Sequence, residues 1–593
     1  MSTDTARPTG QAAATDGAMS HRQIMIILSG LMSGLFLAAL DQTIVSTALR
    51  TIADDLDGLS IQAWATTAYL ITATISTPLY GKLSDIYGRR PLFLTAITVF
   101  LAGSLLSGLA QSMYQLAAFR AFQGLGAGGL FSLALAILGD IVPPRERARY
   151  QGFFLAVFGT ASVLGPVVGG TLAGQDTLLF VSGWRWVFLI NVPVGLLSLI
   201  LVARVLHIPH TRREHRIDFF GAIALVVALV PLLIIAEQGR EWGWGSVAAL
   251  SCYIVGALGT VAFLAVERAM GDDALLPLRL FRGRTFSIGS ALNFLIGMGM
   301  FGGLAALPLY LQIVKGKSPT MAGLLLLPLM IGIMSGSVIS GQFISKTGRY
   351  KIFPVLGAAL LVLGLGLLSQ VNADTSILQI DIYALLFGLG LGFNMQPLVL
   401  ALQNSVPPKD MGVATASATF FRQMGGTLGT AVFLSVLFSS VGDNIKNAFK
   451  AVAGTAPFQA ALKDPAVLAD PANAPVLQAL KSGGLGDSLN DSSFISRLDP
   501  RLARPFLIGF SDSIGLVFLL GAAVLVVALL VVLFLPEEPL RTQSGLQAME
   551  SERSSEEAAE AAALGAPAPI GAGGVPAGSP AATGKALPEP SAG

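Results

Sequence analysis

The chain has 593 residues, of which 53% are hydrophobic and only 12% charged, against roughly a quarter charged in soluble domains. That composition excludes a soluble globular protein, and a formal net charge of +2 gives no electrostatic reason to expect nucleic acid or an acidic partner. The single cysteine, Cys252, excludes a disulfide framework.

A bilayer core of about 30 Å needs roughly 20 apolar residues per helix. Runs of that kind lie near residues 23–48, 61–81, 92–111, 114–140, 151–173, 184–206, 218–237 and 246–268, and six more near 285–313, 320–344, 353–371, 379–402, 412–437 and 506–535. The total is fourteen. Residues 1–22 lack a basic, apolar and cleavage-site sequence, so the first helix is expected to be retained rather than removed as a signal peptide.

Short loops on one side carry Lys82, Arg89 and Arg90, then Arg145, Arg147 and Arg149, then Arg212, Arg213 and Arg216, then Arg279, Arg282 and Arg284, then Lys346, Arg349 and Lys351. The opposite short loops hold little beyond Arg50, Arg240, Lys315 and Lys317. The basic side is therefore expected to be cytoplasmic, with both termini on it, in a multi-pass protein of the inner or plasma membrane. Residues 438–505 would form a long external loop. From 536 onward the chain is rich in Ala, Pro, Gly, Ser and Glu, a composition that cannot bury a core, so 536–593 is expected to be a disordered cytoplasmic tail.

An internal repeat organises the helices. "GKLSDIYGRR" from Gly81 is echoed by "GQFISKTGRY" from Gly341, 260 residues later (341 − 81). "VPPRER" from Val142 is echoed by "VPPKDM" from Val406, and "GLG" at Gly124 by "GLG" at Gly388, both 264 residues later (406 − 142, 388 − 124). Two parallel six-helix halves follow, spanning 23–206 and 285–535, with 207–284 a linker carrying two inserted helices behind a short cytoplasmic segment 1–22. Such halves with a site at their interface are the architecture of a secondary transporter.

On several motifs the chain resembles the fourteen-helix drug:proton antiporters of the major facilitator superfamily. "LDQTIVSTAL" at Leu40 is similar to that family's helix-1 signature, although Ser46 and Arg50 stand where Asn and Pro are usual. "GKLSDIYGRRPLFL" at Gly81, "RAFQGLGAGG" at Arg120, "GTASVLGPVVGG" at Gly159 and "WRWVFLINVPVG" at Trp184 resemble its loop, helix-4, antiporter and helix-6 motifs. The fold class the resemblance implies is an all-α membrane protein of that superfamily, with helices arranged 6+2+6.

Asp41 and Arg120 fall at similar depth within helices 1 and 4. Unpaired intramembrane charges cost several kcal/mol, so the two are expected to be partners or near-neighbours in a wet cavity. Burial disfavours a charged carboxylate and a guanidinium favours it, so opening and closing the site would change whether Asp41 holds a proton. Arg120 cannot titrate usefully and would bias Asp41; a fixed structural ion pair is the competing reading. Asp512 lies at comparable depth in helix 14, as a second coupling candidate or a structural anchor. Asn293, Asn394, Gln396 and Gln403 are polar candidates for the substrate cavity.

The resemblance makes the loop motif a gate: Gly81, Asp85, Gly88, Arg89 and Arg90, with Asp85 facing the helix that starts near Gly412 and Arg89 pairing with Asp140. Arg89 and Arg90 also satisfy the positive-inside bias. In helix 5, Gly159, Gly165, Gly169 and Gly170 permit close helix approach and Pro166 bends the helix; the resemblance, not the packing, assigns them to exporters.

Other signals fail. "GLGAGG" at Gly124 matches G-x-G-x-x-G but lies inside an apolar helix without a preceding strand. His207, His210 and His215 sit in a basic linker without cysteine, and no metal site is expected. No phosphate-binding G-x-x-x-x-G-K-[ST] occurs, so no cofactor is expected and a proton gradient is the expected energy source.

The chain therefore reads as a non-enzymatic, proton-coupled exporter of lipophilic, often cationic drugs or toxic metabolites, a determinant of antibiotic resistance. Its expected partners are small lipophilic substrates, protons and membrane lipid. The alternatives are a dedicated exporter of one endogenous product, such as a lipid or antibiotic, and a non-transporting membrane receptor or assembly protein.

Overall fold

The computed structural model describes residues 20–57, 61–206, 218–474, 476–478, 493–541 and short pieces between 543 and 555. The linker histidines 207, 210 and 215, most of the predicted tail and residues 479–492 lie outside that set.

Ser20 opens α1 (His21–Asp55) with a capping box that also uses Gln23. At 35 residues and 1.5 Å each, α1 is about 52 Å long and overshoots the bilayer core. There follow α2 (Ala63–Tyr87), α3 (Arg89–Gly108), α4 (Met113–Ile141) and α5 (Pro144–Ala173). A two-stranded hairpin, β1 (Thr177–Leu178) and β2 (Val181–Ser182), then leads into α6 (Trp186–Leu189) and α7 (Asn191–Val205), which together make one crossing. The Gly-rich run in α4 lets it lie directly on α2: a Cβ at Gly124 or Gly128 would stand 2.4 and 2.3 Å from the carbonyl oxygens of Tyr69 and Ala73.

The inserted pair is α8 (Phe219–Trp242) and α9 (Val247–Met270). Each packs mainly against the other, and Leu250, Ile254, Leu258 and Val261 on α9 are exposed, as expected of a face that meets lipid. The second half is α10 (Arg284–Leu309), continued by a π-helical turn, then α11 (Pro319–Leu324) with α12 (Leu327–Thr347), α13 (Ile352–Leu368), α14 (Ile377–Asn404), α15 (Met411–Val452) and, after short α16 (Ala456–Ala461) and α17 (Pro465–Ala469), α18 (Pro500–Leu533).

Among the described residues twelve helical stretches are long and apolar enough to cross a membrane. The Thr- and Ser-rich α2 and the 17-residue α13 complete fourteen crossings. Each half has its own apolar core. They meet where α5 packs on α12 and α15 packs on α2 and α4. The repeat is visible in the backbone: Gly88 and Gly348, at matching turns, both take positive φ, 94° and 73°.

Three boundaries differ from the sequence reading. α15 runs to Val452 rather than stopping near 437, because Ile445, Ala448 and Phe449 keep burying an apolar stripe, with Phe449 edge-on to Phe506 of α18. The expected external loop carries α16 and α17, anchored by Phe458 against Phe449. The tail begins packed rather than disordered: Leu535 and Leu540 are buried, Tyr350 donates to the Pro536 carbonyl, and Asn404 bonds the backbone of Pro539 and Arg541.

Candidate functional site

A cavity of about 380 Å³ lies between the halves, the size of a small-molecule site. α1, α2, α4 and α5 contribute Gln42, Thr43, Thr74, Phe131 and Phe158; the second half contributes Met330, Gln396, Gln423 and Thr427 among others. No Asp or Glu is among the described lining residues, and its one charged side chain is Arg422 of α15.

Asp41 belongs to a packed network behind this wall. It has no exposed surface and Arg120 has 1%. Arg120 Nη1 donates to Asp41 Oδ2 at 2.5 Å, while Gln123 Nε2 and Asn191 Nδ2 donate to Oδ1 at 3.0 and 2.7 Å. Arg120 also donates to Gln123 Oε1 at 2.7 Å and to the Ala65 carbonyl at 3.3 Å, and its guanidinium lies 4.1 Å from the centre of the Tyr69 ring. Asn191 is held in turn by Ser104, to which it donates at 2.9 Å. The pair is thus together but enclosed, not set in a wet cavity; Gln42 and Thr43, the next residues of α1, reach the cavity surface, whereas Asp41 does not.

The basic-loop face is closed by struts between the halves. Asp85, in the last turn of α2, accepts from the Val413 backbone N–H at the start of α15 at 3.1 Å, and pairs with Arg89 at 2.6 Å. Arg89 Nε donates to Asp140 at 2.6 Å, and its Nη1 to Ser84. Gly81 faces α15 so closely that a Cβ would stand 2.4 Å from that of Ala416. Gly88 turns the chain between α2 and α3, and Arg90 ties α3 to α7 through the Ala203 carbonyl at 2.6 Å.

Two further struts were missed by reading the loop arginines as orientation signals alone. Arg147, 1% exposed, donates to the Val142 carbonyl and, across the halves, to Gln403 Oε1 at 2.8 Å. Arg279, beyond α9, holds both carboxylate oxygens of Asp410 at 2.9 Å and Asp272 at 2.6 Å, while Lys82 of α2 donates to the Asp272 carbonyl at 2.8 Å. The segment after the inserted helices is thus a strap across both halves.

The remaining candidates separate. Gln396 lines the cavity. Asn293 and Asn394 are buried and donate to carbonyls of their own helices, Gly289 and Gly390, so neither lines it. Gln403 is used by the Arg147 strut. Asp512 is exposed on α18 and stands outside the cavity lining. In the α5 motif, Cβ atoms at Gly165 and Gly169 would stand 2.0 Å from Thr43 Oγ1 and 2.8 Å from the Ile44 carbonyl, so those two seat α5 on α1 next to Asp41. Gly159 faces Met334 of the other half at 3.7 Å, Gly170 has nothing within 4 Å, and Pro166 lies inside the helix.

On the opposite face, Trp184 donates to Asp55 at 2.5 Å, pinning the end of α1 to the α6 entrance. Among α16 to α18, Arg501 donates to Asp464 Oδ2 and Asp499 Oδ1, both at 2.9 Å, and these hydrogen bonds hold the two carboxyls below the usual carboxylate range.

Two parallel six-helix halves around a central cavity, sealed on one face by charged struts, define a multi-pass membrane transporter. Residues 31–430 match the Major Facilitator Superfamily. Over 518 residues the chain is 35% identical to Multidrug resistance protein 3 of Bacillus subtilis, covering 87% of this chain and 96% of that protein. It is 37% identical over 431 residues to Multidrug transporter protein MdtP of the same organism, covering 72% and 77%. The structure of the proton:xylose symporter XylE bound to 6-bromo-6-deoxy-D-glucose matches with a TM-score of 0.54 at 17% identity, over 89% of this chain and 99% of that one, which speaks to the fold. The chain belongs to the Major Facilitator Superfamily, and it is a transporter rather than an enzyme.

Proposed function

We propose that this transporter exports lipophilic small molecules in exchange for protons, with its basic-loop face and both termini in the cytoplasm and its body in the cell membrane. The observation that carries the reading is the enclosed Asp41–Arg120–Gln123–Asn191 network, one residue removed in the chain from a cavity with no carboxylate among its described lining residues. The multidrug names of relatives that match most of the chain support the direction of transport. The flexible thioethers of Met300, Met330, Met334 and Met395 around the cavity favour a broad substrate range over a single endogenous product.

In the state closed toward the cytoplasm, a proton reaching Asp41 from outside cancels its charge. Arg120 then loses its ion pair and keeps only the neutral Gln123 Oε1, the Ala65 carbonyl and the Tyr69 face, so its hydrogen bonds are partly met while its charge is left unpaired. The loosened α1 moves with α5, through the Thr43–Gly165 contact, and the cytoplasmic struts part. Substrate entering from the membrane or cytoplasm restores the charged network, and the proton leaves inward. The exchange of one charge state for the other couples the two flows.

The test is uptake of a lipophilic fluorescent probe into inside-out vesicles. Uptake that needs this chain and collapses with a protonophore is the expected result; uptake indifferent to the protonophore would contradict it.

A further inference from the structure

Arg422 is the exception among the deeply placed arginines. Arg89, Arg120 and Arg147 each have carboxylate, amide or carbonyl partners. No hydrogen bond or ion pair is formed by the Arg422 guanidinium among the described residues, and its side chain lines the central cavity. It lies eleven residues from the start of α15 (422 − 411), about 16 Å along the helix and so near the middle of a bilayer core of about 30 Å.

Its position is built. A Cβ at Gly297 of α10 would stand 2.2 Å from the Arg422 carbonyl, and one at Gly425 2.0 Å from the Phe294 carbonyl, so α10 and α15 are locked together around it. The polar residues that share the lining with it, Gln423, Thr419 and Gln396 among them, are all neutral. A guanidinium offers five donors and accepts nothing. Held at mid-membrane without an anion, it is an expensive group whose natural partner has to arrive from outside the chain.

We propose that Arg422 is the head-group anchor for amphiphilic anions: substrates with one carboxylate or a like oxyanion on a lipophilic body, the body lying against Phe131, Phe158, Phe301 and Met330. This deepens, and rests on, the export reading above. It also reverses the charge preference expected from the sequence, because the one carboxylate credited to the cavity, Asp41, is committed to Arg120 behind its wall.

The test is calorimetric binding to the purified full-length protein of three probes sharing one ring system: 1-naphthylacetate, 2-(1-naphthyl)ethanol and (1-naphthylmethyl)trimethylammonium. A hydrogen-bonded charge pair should favour the anion over the alcohol by about ten-fold or more. Arg422→Lys should keep part of that preference and Arg422→Gln should lose it, at unchanged elution and melting behaviour. Anion binding no tighter than that of the alcohol in the unmodified protein, including no binding at all, would overturn the assignment, as would a preference that survives in Arg422→Gln. The outcome is independent of the export reading: an anion preference without protonophore-sensitive uptake of any compound would sink proton-coupled export alone, and such uptake without the preference would sink the anchor alone.

Discussion

The Asp85 carboxylate accepts a hydrogen bond from the Val413 N–H at 3.1 Å, joining residues 328 positions apart and one half of the transporter to the other. The bond places an anion at the N-terminus of the 42-residue α15, where unsatisfied N–H groups and the helix dipole favour it. Arg89 sits between Asp85 and Asp140 and holds the carboxylate in place.

Asp85→Asn removes the charge and keeps the shape, so the closed basic-loop face should weaken by about 1.5–3 kcal/mol, the value of a hydrogen bond to a charged group. In a Cys252→Ser background, a cysteine replacing the cavity-lining Thr419 should then be labelled from the basic-loop side about ten- to a hundred-fold faster. Equal labelling rates would reduce the motif to an orientation signal.

The α5 motif is predicted to divide by contact rather than act as one unit. Gly165→Val drives a side chain into Thr43 and should cost about 1–3 kcal/mol, read as a lowered melting temperature together with lost transport. Gly170→Ala meets open space and should change stability by less than about 0.5 kcal/mol. Similar losses in both variants would point to a helix-wide role that the packing does not explain.

Arg501 gives the segment of α16 and α17 a pH dependence. Its hydrogen bonds lower the carboxyls of Asp464 and Asp499 in the folded state, so the tie is complete above the usual carboxylate range and is lost as pH falls below about 4. Hydrogen exchange across residues 456–469, corrected for its intrinsic pH dependence, should quicken on acidification in the unmodified chain. In Arg501→Ala it should be fast at neutral pH and change little. Protection unaltered in Arg501→Ala would assign it to the Phe449–Phe458 packing instead.

Much of this architecture was legible because it is periodic or repeated. Apolar runs marked the crossings, and the Gly81/Gly341 and Val142/Val406 echoes marked the two halves. Arg120 could be anticipated as the neighbour of Asp41 because an intramembrane charge needs a counter-charge and few are available; the neighbours of Asp85 and Arg89 followed from the resemblance rather than from the residues. Arg422 was missed although the same rule applies: it falls inside the predicted span 412–437, and an arginine there is a functional flag by default. Gln403 and Arg147 could not be paired from sequence, since 256 residues separate them and neither polarity nor period links them. α15 was cut short because Ser, Asp, Asn and Lys beyond 437 lower hydropathy, whereas the buried stripe of Val441, Ile445 and Phe449 continues on one face.

Charge movement should follow substrate charge. With one proton exchanged, a neutral substrate moves one charge inward, a monoanion leaving the cell moves the equivalent of two, and a monovalent cation moves none. Each charge is worth about 2.3 kcal/mol per 100 mV, close to fifty-fold in gradient. Currents across a solid-supported membrane should rank anion above neutral compound above cation at equal turnover. A current that is the same for all three would exclude one-for-one proton exchange.

The central claim is that Asp41 carries the coupling proton, and its most direct test is substrate-driven proton flux in proteoliposomes, followed with an internal pH-sensitive dye. The unmodified protein should move protons against the substrate flow; Asp41→Asn, with Arg120 still held by Gln123 and Ala65, should bind substrate and move none, and Asp41→Glu should retain part of the flux. Proton flux persisting in Asp41→Asn, and abolished by a protonophore, would contradict the account.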